Sequence, residues 1–324
     1  MCTAITYKSH YHYFGRNLDL EFSYGESVAI TPRKFVFEFR NSKKIENHYA
    51  IIGMAITQNG FPLYFDATNE KGLSAAALNF PGNAIYHDIS DNADNIASFE
   101  LIPWVLCQCK NIQEAKNLLE NTNITKTKFS IELPPTPIHW IICDSCSSIT
   151  VETVDEGLKV YDNPVGVLTN NPGFDIQLFN LNNFLGLSAQ QVQNRFSDKI
   201  DPEIYSQGMG AIGLPGDLSS SSRFVRACFT KLNSISEDSE YESISQFFHI
   251  LASVWQQRGC VKISDEKYEI TLYSSCCNTD KGIYYYMTYE NFQISAIDMH
   301  KEDLDSSLVI SYPLIKKQQI NYIN

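Results

Sequence analysis

The chain begins with Met1-Cys2-Thr3-Ala4-Ile5, and the polar segment Gly15-Arg16-Asn17-Leu18-Asp19 follows a short distance later. Cysteine in second position has a small side chain that permits removal of the initiator methionine, so we expect the mature chain to begin at Cys2. Cys2 would then carry both a thiol and a free α-amine. Because an α-amine (pKa ~7.7–8.0) and a thiol (pKa ~8.5) titrate close together, the amine can act as the base that activates the sulfur.

The first segment has the pattern of a strand, and the second is placed to return beside it as the other half of a hairpin. Such a hairpin would bring Arg16 and Asp19 to the sulfur of Cys2. A nearby cation favours the thiolate, and a carboxylate can hold the amine. Cysteine is also among the most frequently buried residues, so this pattern alone does not distinguish a nucleophile from a core residue.

Composition limits the possible functions. The chain has 324 residues, is 44% hydrophobic and carries a net charge of −12, which favours a large core and argues against a nucleic-acid partner. No apolar run approaches the ~20 residues of a membrane span, and no secretory leader is recognisable. Nine cysteines, an odd number, therefore predict reduced thiols in a cytoplasmic protein and not a disulfide framework.

Strand patterns precede helix patterns along the chain and then return after them. The predicted strands are residues 2–8, 13–20, 27–37, 47–57, 61–65, 72–80, 138–143, 149–153, 158–161, 165–169, 268–275, 282–289 and 292–298, with breaks at Asn17, Gly25, Pro32 and Asn59-Gly60. The predicted helices are residues 97–109, 112–120, 222–232 and 243–255. This order predicts an α+β fold, with two stacked antiparallel sheets between helices in a single domain over residues 1–324.

Polar side chains stand where several predicted strands end. Asn79 closes a strand of small residues, and Asn170-Asn171-Pro172 closes another. Asparagine amides at such positions can donate to the oxyanion of an acyl-transfer reaction, although Asn before Pro also initiates ordinary turns. Arg223 falls in the first turn of a predicted helix, where the helix dipole disfavours a cation, so we expect a compensating partner or ligand.

Taken together, these segments resemble one family. The matching motifs are Met1-Cys2-Thr3, Phe14-Gly15-Arg16-Asn17-Leu18-Asp19, Asn69-Glu70-Lys71-Gly72-Leu73, Leu78-Asn79-Phe80-Pro81, Leu168-Thr169-Asn170-Asn171-Pro172, residues 213–217 with Ser222-Arg223-Phe224, and Gly282-Ile283-Tyr284-Tyr285-Tyr286. In this order, from residue 2 to about residue 300, the chain resembles the choloylglycine hydrolase family, which contains bile salt hydrolases and penicillin V acylases.

The resemblance implies an N-terminal-nucleophile hydrolase with an αββα sandwich, a homotetramer in the cytoplasm of gut bacteria. It further implies hydrolysis of the amide that joins a bile acid to glycine or taurine, with no cofactor and no metal. In this interpretation Cys2 supplies the nucleophile and the base, Arg16 favours the thiolate, and Asp19 holds the amine.

The resemblance assigns the remaining polar positions to the same site. Asn79 and Asn170 would serve the oxyanion hole and the amine network, and Arg223 would complete the polar cluster. Penicillin V acylases tend to have tyrosine at the position of Asn79, so the asparagine favours a bile salt hydrolase. An apolar steroid pocket is expected, and its candidate lining residues are Leu18, Tyr24, Phe61, Phe65, Phe129, Ile131 and Leu133.

Three alternatives remain. The chain could be a penicillin V acylase, or a steroid-binding sandwich without turnover. The spacing Cys143-Asp144-Ser145-Cys146 could contribute half of a structural zinc site, but such sites commonly need a second pair of ligands, and no other cysteines have that spacing. His139 and His249 fall in apolar patterns, which favours core positions for both.

Overall fold

The computed structural model describes residues 1–324. Sheet A has six antiparallel strands, in the order β12 (Val167–Leu168), β1 (Cys2–Lys8), β2 (His12–Leu20), β15 (Ile270–Asn278), β16 (Ile283–Thr288) and β17 (Asn291–Asp298). Sheet B has eight, in the order β11 (Gly157–Asp162), β10 (Ser148–Val154), β9 (Ile138–Cys143), β6 (Ser74–Asn79), β5 (Phe61–Asn69), β4 (Ile51–Gln58), β3 (Ser27–Thr31) and β18 (Ile310–Pro313). Two small sheets complete the set: β7 (Asp94–Ala97) with β8 (Thr122–Thr125), and β13 (Lys262–Ser264) with β14 (Lys267–Tyr268).

Helices cover the outer faces of the two large sheets. The five helices are α1 (Leu101–Gln108), α2 (Ile112–Leu119), α3 (Phe174–Asn180), α4 (Ser220–Asn233) and α5 (Glu240–Ala252). Helix α1 packs on strands β4 to β6 of sheet B, whereas α4 and α5 pack on β1, β2 and neighbouring strands of sheet A. The two sheets meet where β6 contacts β1 and β2. This arrangement confirms the predicted αββα sandwich.

The hairpin of β1 and β2 forms as the sequence predicts. Cys2 pairs with Leu18, and Ala4 pairs with Arg16. Gly15 is required here because a Cβ atom at this position would overlap the carbonyl oxygen of Ser275 in β15. The absence of a side chain therefore allows β2 to lie tightly against its neighbour in the centre of sheet A.

Several predicted boundaries were wrong. Strand β3 ends at Thr31, not at residue 37, because Pro32 cannot donate to the ladder, and β4 begins at Ile51, not at residue 47. Asn17 is not a break: it lies in the middle of β2, fully buried, and bonds to Leu251 and Ser274. The Asn59-Gly60 turn is confirmed, since both residues have positive φ angles, 51° and 81°.

Four strands were not predicted, and one of them is β13, which has three residues. Strands β7 and β8 form a short parallel pair in a polar region, and β18 adds to the edge of sheet B from near the end of the chain. Each has four residues or fewer, too short to give a periodic pattern. None of the helices has the length and hydrophobicity needed to span a lipid bilayer.

Candidate active site

Strand β1 places Cys2 at the inner face of sheet A. Side chains alternate across a strand, so Cys2, Arg16 and Leu18 share the face that looks toward sheet B, and all three line one cavity. Asn17 points the other way, where its amide donates to the carbonyl of Leu251 in α5 at 2.9 Å. The side chain of Asp19 lies on that second face of β2, the face that the helices cover.

Arg16 is fully buried beside the thiol. Its Nη1 donates to the carbonyl oxygens of Phe65 at 3.0 Å and Ala77 at 2.5 Å, while its Nη2 is buried with no partner in the chain. Burial acts to lower the pKa of Arg16, but the acidic groups around it, Cys2 foremost, outweigh that effect and leave its pKa raised. Arg16 is therefore a fixed cation, with one unused donor face, close to the sulfur.

A buried carboxylate stands behind Arg16. Asp66 in β5 accepts hydrogen bonds from the hydroxyls of Tyr273 and Tyr284, each at 2.7 Å, and from Ser275 at 3.1 Å. Burial raises the pKa of Asp66, and Arg16 and the three hydroxyls oppose that rise. Sequence reasoning missed Asp66. The available signal was a lone acid inside the otherwise uncharged strand Phe61–Asn69.

The N-terminal amine lies in the same polar cluster. The α-amine of Met1 donates to the backbone oxygen of Asp19 at 2.8 Å and forms an ion pair with Glu269. Burial lowers the pKa of this amine, and the charges on Cys2 and Asp19 partly oppose the effect. The backbone nitrogen of Cys2, which would become the terminal amine after loss of Met1, donates to Oδ1 of Asn170 at 2.8 Å.

The carboxylate of Asp19 is fully buried in this cluster. It accepts from the hydroxyl of Thr271 at 2.6 Å, and its second oxygen has no hydrogen-bond donor. Burial raises the pKa of Asp19, while Arg223 and the terminal amine lower it. Asp19 thus lies in the same buried cluster as the Met1 amine, and its interaction with the amine of a mature Cys2 stays a prediction.

Arg223 joins the parts of the site that come from distant segments. Its Nη1 donates to the carbonyl oxygen of Cys2 at 2.6 Å and to the hydroxyl of Thr3 at 2.7 Å. Its Nη2 donates to Oδ1 of Asn170 at 2.8 Å, and its Nε to the carbonyl of Leu218 at 3.1 Å. These four bonds give the buried guanidinium the compensation that its position near the start of α4 requires.

The two asparagines have different surroundings. Asn170 uses Oδ1 for Cys2 and Arg223, and its Nδ2 donates to the backbone oxygen of Asn79 at 2.7 Å. The side chain of Asn79, at the end of β6, forms no hydrogen bond within the chain and lines the cavity. The geometry therefore suits Asn170 to holding the amine, and Asn79 to donating to a substrate oxygen.

The cavity that contains Cys2 has a volume of about 340 Å³, within the range of small-molecule sites. Fourteen of its twenty lining residues are hydrophobic. The full lining is Cys2, Arg16, Leu18, Leu20, Glu21, Phe22, Tyr24, Ile56, Leu63, Tyr64, Phe65, Ala77, Asn79, Ser98, Phe99, Phe129, Leu133, Pro134, Thr136 and Ile138. Such a cavity suits a rigid apolar ligand that presents a polar end to the thiol.

Five of the seven predicted pocket residues line this cavity: Leu18, Tyr24, Phe65, Phe129 and Leu133. The structure does not place the other two there. Phe61 instead packs against Phe37, Phe99 and Phe129 behind the wall, and Ile131 is 81% exposed. Sequence reasoning missed Leu20, Phe22, Ile56, Leu63, Phe99 and Ile138, although most of these lie on strands, where alternation could have indicated them.

The two cysteines of the zinc alternative are in different environments. Cys143 is buried in β9, whereas Cys146 is exposed in the following turn. No group of three or more metal-ligating side chains occurs in the chain. The structure gives this pair no further ligands.

Comparison with known proteins identifies the family. Residues 2–312 match the linear amide C–N hydrolases of the choloylglycine hydrolase family. The chain belongs to the choloylglycine hydrolase family. This choloylglycine hydrolase is 55% identical to the bile salt hydrolase/transferase of Lactiplantibacillus plantarum and 41% identical to that of Clostridium perfringens, over the full length of both chains in each comparison.

Solved structures agree with this assignment. A mutant of the conjugated bile acid hydrolase from Clostridium perfringens superposes with a TM-score of 0.93 at 39% identity, and the match covers 100% of both chains. The penicillin V acylase of Agrobacterium tumefaciens superposes with a TM-score of 0.74 at 21% identity, covering 98% of this chain and 94% of that one. The second match shows a shared fold only.

Proposed function

We propose that this enzyme hydrolyses the amide bond of conjugated bile salts, releasing a free bile acid and glycine or taurine. One observation supports this most strongly: Cys2, with the buried cation of Arg16 beside it, opens into a largely apolar cavity that has the free amide of Asn79 on its wall. Relatives whose names specify bile salt or conjugated bile acid hydrolysis match the chain over its whole length. The penicillin V acylase alternative is not favoured, because that likeness is of fold alone.

The reaction begins once Met1 has been removed. The α-amine of Cys2, held by Oδ1 of Asn170 and close to Asp19, takes the thiol proton. The thiolate then attacks the amide carbonyl, forming a carbon–sulfur bond and a tetrahedral oxyanion. Collapse breaks the carbon–nitrogen bond, and the amine returns its proton to the departing glycine or taurine nitrogen. Water then cleaves the thioester and regenerates the thiol.

The surrounding side chains stabilise separate parts of this sequence. The unbonded amide of Asn79 is placed to donate to the oxyanion, an interaction commonly worth about 2.7–4 kcal/mol of transition-state stabilisation. Arg16 favours the thiolate by its charge. Arg223 fixes the Cys2 carbonyl and Asn170 together, so that the amine and the sulfur keep their relative positions.

The thioester also permits a second outcome. An amine that replaces water in the last step would form a new amide and not a free acid. The two relatives that share 55% and 41% identity with this chain are named as hydrolase/transferases, which favours the same acyl transfer here. Incubation of the enzyme with a bile salt and an excess of a second amino acid should then yield a new conjugate.

We further propose that residues 2–324 act as one functional domain, that the enzyme is a cytoplasmic homotetramer, and that it needs no cofactor. Large exposed apolar side chains cluster in sequence from the last turn of α3 to the start of α4, which is typical of a surface covered by another subunit. They include Phe179, Leu185, Phe196 and Tyr205. Sedimentation analysis of the purified protein would test the tetramer.

The decisive experiment measures amine release from glycocholate and taurocholate, with penicillin V as a third substrate. Cys2→Ser should abolish turnover and retain bile-salt binding, because the hydroxyl is a far weaker nucleophile than the thiolate. Cys146→Ser, at an exposed cysteine outside the cavity, is the matched control and should retain full activity. Full activity of Cys2→Ser would overturn the nucleophile assignment. Binding without release in the unaltered enzyme would instead indicate a steroid-binding protein.

A further inference from the structure

His139 is a buried histidine that the proposed reaction does not use. It lies on β9, directly opposite Leu78 of β6, and is completely shielded from solvent. Its Nδ1 lies 3.0 Å from Oε1 of Glu152 on the adjacent strand β10, and its Nε2 lies 3.0 Å from the carbonyl oxygen of Thr169. The ring therefore links sheet B to the segment that follows β12 of sheet A.

Both contacts of the ring are with hydrogen-bond acceptors. A carbonyl oxygen can only accept, and Oε1 of Glu152 also accepts from the backbone nitrogen of Phe174 at 3.0 Å. The ring therefore bridges the carboxyl group of Glu152 and the backbone at Thr169. Glu152 is 2% exposed, so the contact between the two side chains is buried, and removing one partner leaves the other without a replacement from solvent.

The same ring touches both segments that carry the asparagines of the candidate active site. Phe80, the residue after Asn79, stacks on His139 with ring centroids 4.2 Å apart and planes inclined by 8°. Thr169, whose carbonyl the ring holds, is the residue before Asn170. The two asparagines are themselves joined by the bond from Nδ2 of Asn170 to the backbone oxygen of Asn79.

We propose that His139, held by Glu152, is a positioning residue that sets the placement of Asn79 and Asn170 relative to Cys2. It touches neither the substrate nor the thiol. Stacking on Phe80 fixes the end of β6, from which Asn79 donates to the oxyanion, and the bond to Thr169 fixes the chain that aims Asn170 at the Cys2 nitrogen. This inference rests on the proposed function, because its test measures kcat on a bile salt. His139 and Glu152 themselves have no role in the reaction as proposed above.

The test compares His139→Gln, Glu152→Gln, the double variant and Phe80→Leu with His48→Gln. His48 is a matched control: it is also largely buried and bonds two backbone carbonyls, those of Tyr49 and Phe35 at 2.7 and 2.9 Å, but it does not line the cavity. For each folded variant, kcat and KM on glycocholate are measured. The rate at which iodoacetamide alkylates Cys2 is followed by mass spectrometry of the N-terminal peptide.

We expect kcat to fall about 10- to 100-fold in His139→Gln and Glu152→Gln with KM nearly unchanged, because small misplacements of catalytic groups carry penalties of that size. Alkylation should slow about tenfold as the amine loses its alignment. The double variant, in which two amide side chains can bond to each other across the same contact, should recover part of the loss. His48→Gln should keep both rates.

Three outcomes would overturn the proposal: unchanged kcat and alkylation in the folded His139 and Glu152 variants, a loss confined to thermal stability, or an equal loss of kcat in His48→Gln. Should His139→Gln fail to fold, Phe80→Leu carries the test, because it removes the stacking and leaves the contact between His139 and Glu152 intact. Absence of bile-salt turnover in the unaltered enzyme would defeat the proposed function, and the alkylation rates would still decide the role of His139.

Discussion

Arg223 and Asn170 meet in one buried hydrogen bond, from Nη2 to Oδ1 at 2.8 Å, and the same oxygen accepts from the Cys2 nitrogen. These residues stand 53 positions apart in the sequence. An oxygen that receives two donors is held in place from two sides. The geometry of the prospective amine therefore depends on a guanidinium that lies far from it in the chain.

Replacing Arg223 by lysine should lower kcat about 100-fold. An ammonium group keeps the charge but cannot reach Cys2, Thr3 and Asn170 in fixed directions, as the guanidinium does. Stopped assays of amine release would measure the loss. Arg226→Lys, one turn along α4 at a residue that bonds only the carbonyl of Asp217, should change kcat little; comparable losses in both variants would contradict this role for Arg223.

Asn79→Ala should lower kcat by about 10² to 10³ with little change in KM, the pattern of a lost oxyanion donor. Because the Asn79 amide forms no bond within the chain, the free energy of unfolding should hardly change. Asn83→Ala, at a nearby exposed asparagine that bonds Asn171, is the control. A rise in KM without a fall in kcat would show that Asn79 only helps to bind the substrate.

Phe129→Ala should raise KM about tenfold, since a buried aromatic contributes roughly 1.5–3 kcal/mol when it is removed from water. Ile131→Ala, two residues away but exposed, should leave KM unchanged. Michaelis curves with glycocholate distinguish the two. If both substitutions raise KM to the same extent, Ile131 also contributes to substrate binding, and the cavity wall extends beyond Phe129.

Part of the site could be predicted because Cys2, Arg16 and Asp19 lie on a single hairpin. The pairing of β1 with β2 follows from local strand patterns, and it brings Arg16 beside Cys2 without any long-range information. The contribution of Asp66 could not be predicted in this way. It depends on a contact between two sheets, and a single sequence carries no signal for which side chains of separate sheets will face each other.

The wrong assignment of Phe61 to the pocket has a similar cause. Phe61 and Phe65 lie on one strand and differ by an even number, so alternation alone gives them the same face. Leu63, which lies between them, does line the cavity, but Phe61 packs against Phe37, Phe99 and Phe129, which come from other segments. Contacts between separate segments are not visible in the hydrophobic pattern, whereas the positions of Asn79 and Asn170 at the ends of predicted strands are.

Acid should destabilise the protein through His12. Burial lowers the pKa of His12 to about 4 from 6.5, so between these values the unfolded chain binds the extra proton. Stability from this group is complete above pH 6.5 and is lost as pH falls toward 4, by at most about 3 kcal/mol. Urea unfolding at pH 7 and pH 4.5 would measure this. His12→Gln should reduce the change in the free energy of unfolding between the two pH values, whereas His10→Gln, at an exposed residue, should not. If His12→Gln shows the same change as the unaltered protein, another group causes the acid sensitivity.

An uncleaved N-terminal extension should abolish activity, and a protease cut that exposes Cys2 should restore it. The nitrogen of an extended Cys2 is an amide and cannot accept the thiol proton, even though its bond to Asn170 is geometrically intact. Once it is free, the amine occupies a site at least as buried as that of Met1, where burial already lowers the pKa of the α-amine, so its basic form is available near neutral pH. The intact mass of each preparation is measured together with its rate, and the active preparation should lack the mass of one methionine. Full turnover by the extended chain would require a base other than the Cys2 amine, and Asp19, a buried carboxylate of the same cluster, would become the first residue to test.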